Sequence, residues 1–379
     1  MNDIENYSII IEEIFGVGTT TFDINKLHSN KVIRALNHTQ FSHFKENFIE
    51  RLKRLEKTYR LYPKYLKEIL VQVNEIQSLK NWDGAFAELA AFDHLNSTNE
   101  LFEPISPNIT LASSKSLAEE LGKNETNLDG FVKDYSLYFD IKCFKDNNEE
   151  ILQGIYSQIR DHLNYQNVHF SAEYALDVSY DDFKNNRNNL LNELKETLNI
   201  KTKQSYFRSK VIPNFGVRIL WDEGVLTAVR TYDPYLHAKN LHRSIFNYAN
   251  KFMKSEPTLI VLVVFPWYNL VVNDFVSNIE FYRSFSRRFF CQYKYSSEKM
   301  SNFNSKYKGS KKLYTISKYL SGIIVLEDNT ILSEDKTISN VNSYSFLNPN
   351  AKNSIKSMPK HYIHQFTNVR FDDFENDNY

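Results

Sequence analysis

Residues 127–144 read NLDGFVKDYSLYFDIKCF. Two apolar segments flank a polar turn at Lys133, Asp134 and Tyr135, which is the pattern of a β-hairpin with a four- or five-residue connection. Leu137, Phe139, Ile141 and Cys143 alternate with Tyr138, Asp140, Lys142 and Phe144, so Asp140 and Lys142 share one face. A turn that sets Val132 against Leu137 also sets Asp129 across from Asp140, because paired numbers keep a constant sum. Two carboxylates and an ammonium then share one patch. Like charges facing each other on an otherwise apolar strand are costly unless a cation lies between them. Mg²⁺, which takes one or two carboxylates plus waters and substrate phosphates, would remove that cost.

Length and composition set the frame. A chain of 379 residues, 42% hydrophobic, is long enough for two domains, or for one core with a large insertion, and is too apolar to be disordered. Cys143 and Cys291 make neither a disulfide framework nor a cysteine-based zinc site, which fits a reducing cytoplasm. Acidic Asp3, Glu5, Glu12 and Glu13 stand where a signal peptide needs basic residues. The longest apolar run, Leu259 to Phe265, is too short to cross a bilayer, so a soluble protein with no membrane partner is expected. A net charge of zero leaves any nucleic-acid binding to local clustering.

Upstream of the hairpin, residues 1–80 form an expected helical region. Residues 44–73 carry Phe48, Leu52, Leu55 and Tyr59 at helical spacing among Lys45, Arg51, Lys53, Arg54, Lys57 and Arg60, with Pro63 as a break. This reads as a solvated amphipathic helix, with a phosphate-contacting helix as the sharper alternative. Residues 83–95, DGAFAELAAFDHL, are apolar nearly all round and predict a buried helix. Within it Glu88 has Gly84, Ala85, Ala91 and Phe92 at three and four positions and no charged partner. Its carboxylate either reaches another element or faces solvent at a packing gap. Residues 101–112 predict a strand broken by Pro104 and Pro107.

Glu88 in a buried helix, Asp129 at a strand start and Asp140-Ile141-Lys142 in the next strand resemble the ordered signature of the PD-(D/E)xK, restriction-endonuclease-like phosphodiesterases. The resemblance covers residues 83–165, and Leu128 replaces the proline that precedes the first acid. Other acidic-x-lysine triplets, at Asp182, Glu193 and Glu334, lie in polar helix or loop sequence and lack that context. The competing reading is a surface hairpin with ordinary exposed charges.

The resemblance implies a mixed central sheet flanked by helices and Mg²⁺-dependent hydrolysis of nucleic acid, with Mn²⁺ able to substitute. It implies metal ligation by Asp129, Asp140, the Ile141 backbone carbonyl and Glu88, and catalytic roles for Glu88, Asp129, Asp140 and Lys142. Lys142 would orient or deprotonate a water, or stabilise an oxyanion. Restriction or anti-phage defence is the implied setting, with a homodimer or a partner subunit of a defence system as the implied assembly.

Residues 146–163 predict the next helix, on which Gln153 or Gln158 would reach the site. Residues 165–232 alternate strand-like segments, VLTAVRTY among them, with a polar helix at about 181–198, and a further helix is expected over 234–253. TLIVLVVFPW has the continuous apolar character of a buried central strand. From Arg283 to Lys318 ten basic residues face one acid, with aromatics interleaved. Arg283, Arg287, Arg288, Lys294, Lys306, Lys308, Lys311 and Lys312 are the candidate nucleic-acid contacts; the alternative is a core-packed aromatic helix followed by a lysine-rich loop. YLSGIIVLED reads as a strand and SFLNPNAKNSI as a loop.

No Walker loop, G-x-S-x-G elbow or H-E-x-x-H is present in the sequence. The expected organisation is a helical region at 1–80, a nuclease-like α/β core with an insertion at 81–270, and a basic, aromatic C-terminal extension at 271–379. The expected function is a cytoplasmic Mg²⁺-dependent nuclease on DNA, endonuclease ahead of exonuclease. The alternatives are a nuclease for RNA or structured DNA, and a catalytically silent binding or scaffold subunit.

Overall fold

The computed structural model describes residues 3–16, 30–38, 42–78, 81–97, 108–110, 116–118, 125–132, 136–174, 178, 180–221, 234–267, 278–296, 313–332 and 340–355. Helices α1 (Asp3–Phe15), α2 (Lys31–Asn37), α3 (Ser42–Tyr59), α4 (Pro63–Glu75) and α5 (Trp82–Ser97) come first. Short strands β1 (Asn108–Thr110), β2 (Glu125–Asn127) and β3 (Gly130–Val132) precede β4 (Leu137–Cys143). Next are α6 (Asn147–Leu163), β5 (Val168–Tyr174), α7 (Tyr180–Thr197), β6 (Tyr206–Arg208) and β7 (Phe215–Trp221). After α8 (Pro234–Leu241) and a 3₁₀ helix (His242–Lys251) come β8 (Thr258–Val264), α9 (Ile279–Ser296), α10 (Leu313–Ser317), β9 (Gly322–Asp328) and β10 (Val341–Leu347).

The chain is mixed α/β. Residues of 1–144 and 234–379 make one compact unit, and residues of 145–233 make a second. The first is built on a five-stranded sheet in the order β10-β9-β8-β4-β3. Its middle strands β4, β8 and β9 are parallel, and both edges are antiparallel. Every residue of β8 and β9 is buried, as expected of parallel strands covered on both faces. Leu137, Phe139 and Ile141 share a core with Leu259 and Val261 of β8, Ile324 of β9, and helices α3 and α5. Buried Ala87, Ala90 and Ala91 let α5 lie close to β4. Cover on the opposite face includes α9, whose Phe281 and Phe285 pack on Phe144.

The structure differs from several sequence expectations. The C-terminal strands β9 and β10 pair into the same sheet as β4, so the region beyond residue 271 helps to complete the core. Residues 345–347, expected in a loop, end β10, where cross-strand pairing with β9 overrides their turn-like composition. The helix expected over 234–253 tightens to 3₁₀ after Leu241. Helix α3 is amphipathic as expected, with Phe48, Leu52, Leu55 and Tyr59 buried and Lys45, Lys53 and Lys57 exposed, but Arg51 is completely buried, with Nε 3.3 Å from Asp93 and Nη2 2.8 Å from Asp328. Arg54 also grips Asp93, at 2.7 Å. These guanidiniums tie α3 to α5 and β9 and do not present a phosphate-binding surface. Most of the strand expected over 101–112, and the one expected at VLTAVRTY, lie outside the described residues.

The second unit is a three-stranded antiparallel sheet, β5-β7-β6, whose core includes Leu152, Ile155 and Ile159 of α6 and Phe183, Leu190 and Leu194 of α7. Asp146 caps α6 by accepting from the backbone of Asn148 and Glu149. Gln153 donates to Glu149 and Gln158 to the Gly154 carbonyl, so both amides have partners on their own helix.

Candidate active site at the β3–β4 edge

The hairpin has the register read from the sequence: Val132 faces Leu137, Phe131 faces Tyr138 and Gly130 faces Phe139. One step further, at Asp129, the regular ladder stops. Here Asp129 donates its own N–H to the Phe139 carbonyl, at 3.1 Å. Its side-chain Oδ2 accepts the Ile141 N–H at 2.6 Å. The carboxylate thus takes the place of the missing strand partner and lies near the plane of the sheet. In a strand the N–H and C=O of one residue point the same way, so the Ile141 carbonyl aims at this same open edge.

Asp140 and Lys142 project to the face opposite Phe139 and Ile141, as the alternation demands. Asp140 is fully buried, and Lys142 Nζ lies 2.8 Å from its Oδ2. Lys142 also lies 3.8 Å from Asp129 Oδ2 and 5.7 Å from the centre of the Tyr248 ring. A second ammonium, that of Lys251, stands 3.4 Å from Asp140 Oδ1. Sequence reasoning missed Lys251. It reaches the site only because β8 aligns in parallel with β4, and nothing local in the sequence signals that pairing.

Glu88 comes from α5, on the Phe139 side of β4. Burial raises its carboxyl well above the ordinary range, the Asp129 and Asp140 charges add to that rise, and Lys142 and Lys251 oppose it. Among these charges Asp129 acts most strongly on Glu88. Burial, with the Asp140 charge, likewise raises Asp129 to about 7. For Lys142, burial pulls the ammonium down, but Asp140 and Asp129 outweigh it and the net shift is upward. At neutral pH Lys142 is a cation.

The donor set suits a hard divalent cation. Both oxygens of the buried Asp140 face ammonium groups, Lys142 at 2.8 Å and Lys251 at 3.4 Å, so an ion bound there would have to share or displace them. Asp129, Asp140 and the Ile141 carbonyl are all oxygen donors, as Mg²⁺ requires. Among the described residues no group of three or more His, Cys, Asp or Glu side chains is drawn together around one point.

The other acidic-x-lysine triplets are unlike this one. Those at Asp182 and Glu193 lie on α7, where Glu193 accepts from Ser209 at 2.6 Å and from the Lys210 backbone at 3.0 Å. The triplet at Glu334 lies outside the described residues.

Of the basic segment, Arg283 is exposed on α9, whereas Arg287 and Arg288 are buried. Phe285, Phe289, Phe290 and Tyr293 on the same helix are core residues. Tyr293 is hydrogen-bonded to the buried His242, at 3.0 Å. This half of the segment therefore packs as an aromatic core helix, and its buried arginines do not face a solvent-borne partner. The Lys294 side chain and all of Lys306, Lys308, Lys311 and Lys312 lie outside the described residues.

No helix among the described residues is long and apolar enough to cross a membrane. No protein-family model, curated protein or solved structure matches the chain.

Proposed function

We propose that the protein is a divalent-cation-dependent nuclease of the PD-(D/E)xK type. It acts on DNA ahead of RNA, as an endonuclease ahead of an exonuclease, in bacterial restriction or anti-phage defence. The observation that carries this reading is the buried Asp140 with Lys142 at 2.8 Å and Asp129 at the adjoining open edge. Asp129, Asp140 and the Ile141 carbonyl would hold Mg²⁺ or Mn²⁺. The ion would supply charge neutralisation at the scissile phosphate and a water acidified for attack.

The chain's own residues set the rest of the chemistry. Hydrolysis forms a bond from water oxygen to phosphorus, breaks the bond to the leaving oxygen, and needs a proton delivered to that oxygen. Lys142 is charged in this environment, so it serves as a point charge on the phosphoryl oxygens or as that proton's source, and not as a base. Glu88, whose carboxyl burial and the Asp129 charge hold toward its protonated form, would join the site from the α5 side.

A second reading is a catalytically silent binding or scaffold subunit. It is favoured by one fact: both Asp140 oxygens already face ammonium groups. Incubating the full chain with supercoiled plasmid and with single- and double-stranded DNA and RNA oligonucleotides, in Mg²⁺ and in Mn²⁺, separates the two. The nuclease reading requires cleavage that falls at least about a hundredfold in Asp140→Asn and in Lys142→Ala. No cleavage in any of these conditions, or equal cleavage by both variants, supports the scaffold.

A further inference from the structure

Lys251 ends the 3₁₀ helix, and its ammonium is shared between Asp140 Oδ1, at 3.4 Å, and the backbone carbonyl of Asn127. Lys142 differs from it in being held by Asp129 as well as by Asp140. The Lys251 side chain retains 19% exposure, so it has a route to water that the fully buried Asp140 lacks.

A buried carboxylate must be compensated, and here two ammonium groups face its two oxygens. A divalent ion bound to Oδ1 would sit about 2 Å from that oxygen, inside the space the Lys251 ammonium faces. Two cations so close repel strongly even at an effective dielectric constant of about 20. One of them must leave. We infer that Lys251 is a displaceable internal counter-ion of Asp140, which compensates its buried charge and competes directly with the divalent cation for Oδ1. Its flexible four-carbon stem and its second partner, the Asn127 carbonyl, give the ammonium a place to go. This inference rests on the reading of Asp140 as a cation ligand.

The test is a Mn²⁺ titration of the full chain, with free Mn²⁺ followed by electron paramagnetic resonance, for wild type, Lys251→Gln, Lys251→Arg and Asp140→Asn. Thermal unfolding is recorded alongside, in EDTA and in saturating Mn²⁺. Lys251→Gln should bind Mn²⁺ about tenfold more tightly than wild type, a fraction of the full Coulomb repulsion because the site relaxes. It should also melt lower in EDTA and recover in Mn²⁺. Lys251→Arg should stay near wild type, and Asp140→Asn should lose the site. A purely structural lysine would lower stability in both conditions without tightening the ion. Equal or weaker Mn²⁺ binding by Lys251→Gln, with the site still lost in Asp140→Asn, overturns the inference and leaves the cation reading standing. Mn²⁺ binding that survives Asp140→Asn, or no binding by any form, overturns both.

Discussion

The Asp129 carboxylate accepts the Ile141 backbone N–H at 2.6 Å, completing the edge of β4 where β3 has ended. One side chain therefore serves the fold and the site together. Asp129→Ala leaves that N–H without its acceptor and should cost about 1–3 kcal/mol. Asp129→Asn keeps an acceptor oxygen and should cost less. Urea unfolding of the two variants in EDTA checks this, and equal losses would show that the hydrogen bond is not what matters.

The same carboxyl sets a pH dependence. Asp129 binds its proton more tightly folded, at about 7, than unfolded, and Glu88 shifts in the same direction. The stability they contribute is therefore complete below their unfolded values near 4, and for Asp129 it is lost as pH rises through 7. Buried His242, lowered to about 3 by burial, runs the other way below pH 6.5. The difference in melting temperature between wild type and Asp129→Asn, in EDTA, removes the His242 effect. Wild type should lose ground to the variant from pH 5 to pH 8. A constant difference would contradict the raised carboxyl.

Gly130 is required by a close approach. A Cβ there would fall 1.9 Å from the Phe139 ring, which covers the glycine across the hairpin. Gly130→Ala should cost about 1–3 kcal/mol by overpacking. Adding Phe139→Leu should recover part of that loss, a coupling that a double-mutant cycle in denaturant measures.

Arg51 compensates Asp328 and, with Arg54, Asp93. Arg51→Ala leaves buried carboxylate charge and should cost about 3–5 kcal/mol. Combining it with Asp328→Asn should cost less than the two single losses added together. Strict additivity would mean that the pair is not coupled.

The hairpin was legible because its evidence is local. Period-two alternation from Leu137 to Cys143 and a short turn fix the register from Val132–Leu137 to Gly130–Phe139, and with it Asp129 and Asp140 come within reach of the same ammonium, that of Lys142. That the helix of Glu88 offers it no charged partner was legible, and so was the burial of most of the rest of that helix. The all-apolar run at residues 259–264 marked a central strand. The pairing of β4 with β8 was not legible, since one buried apolar strand fits beside another equally well, and the place of Lys251 went unseen with it. Arg51 and the pair Arg287 and Arg288 misled for a shared reason. A basic residue in sequence looks like surface charge until the acids or aromatics that bury it, remote along the chain, are seen to pack against it.

The central claim is that Asp129 and Asp140 hold one divalent cation at the open edge of β4. Anomalous diffraction from crystals of the full chain grown in Mn²⁺ tests it most directly. The account predicts a Mn²⁺ peak within coordinating distance of both carboxylates, about 2.0–2.3 Å, and its loss in Asp140→Asn. A clear map in which Lys142 and Lys251 still grip Asp140 and no peak stands beside it, at Mn²⁺ concentrations that saturate other sites, would contradict the account.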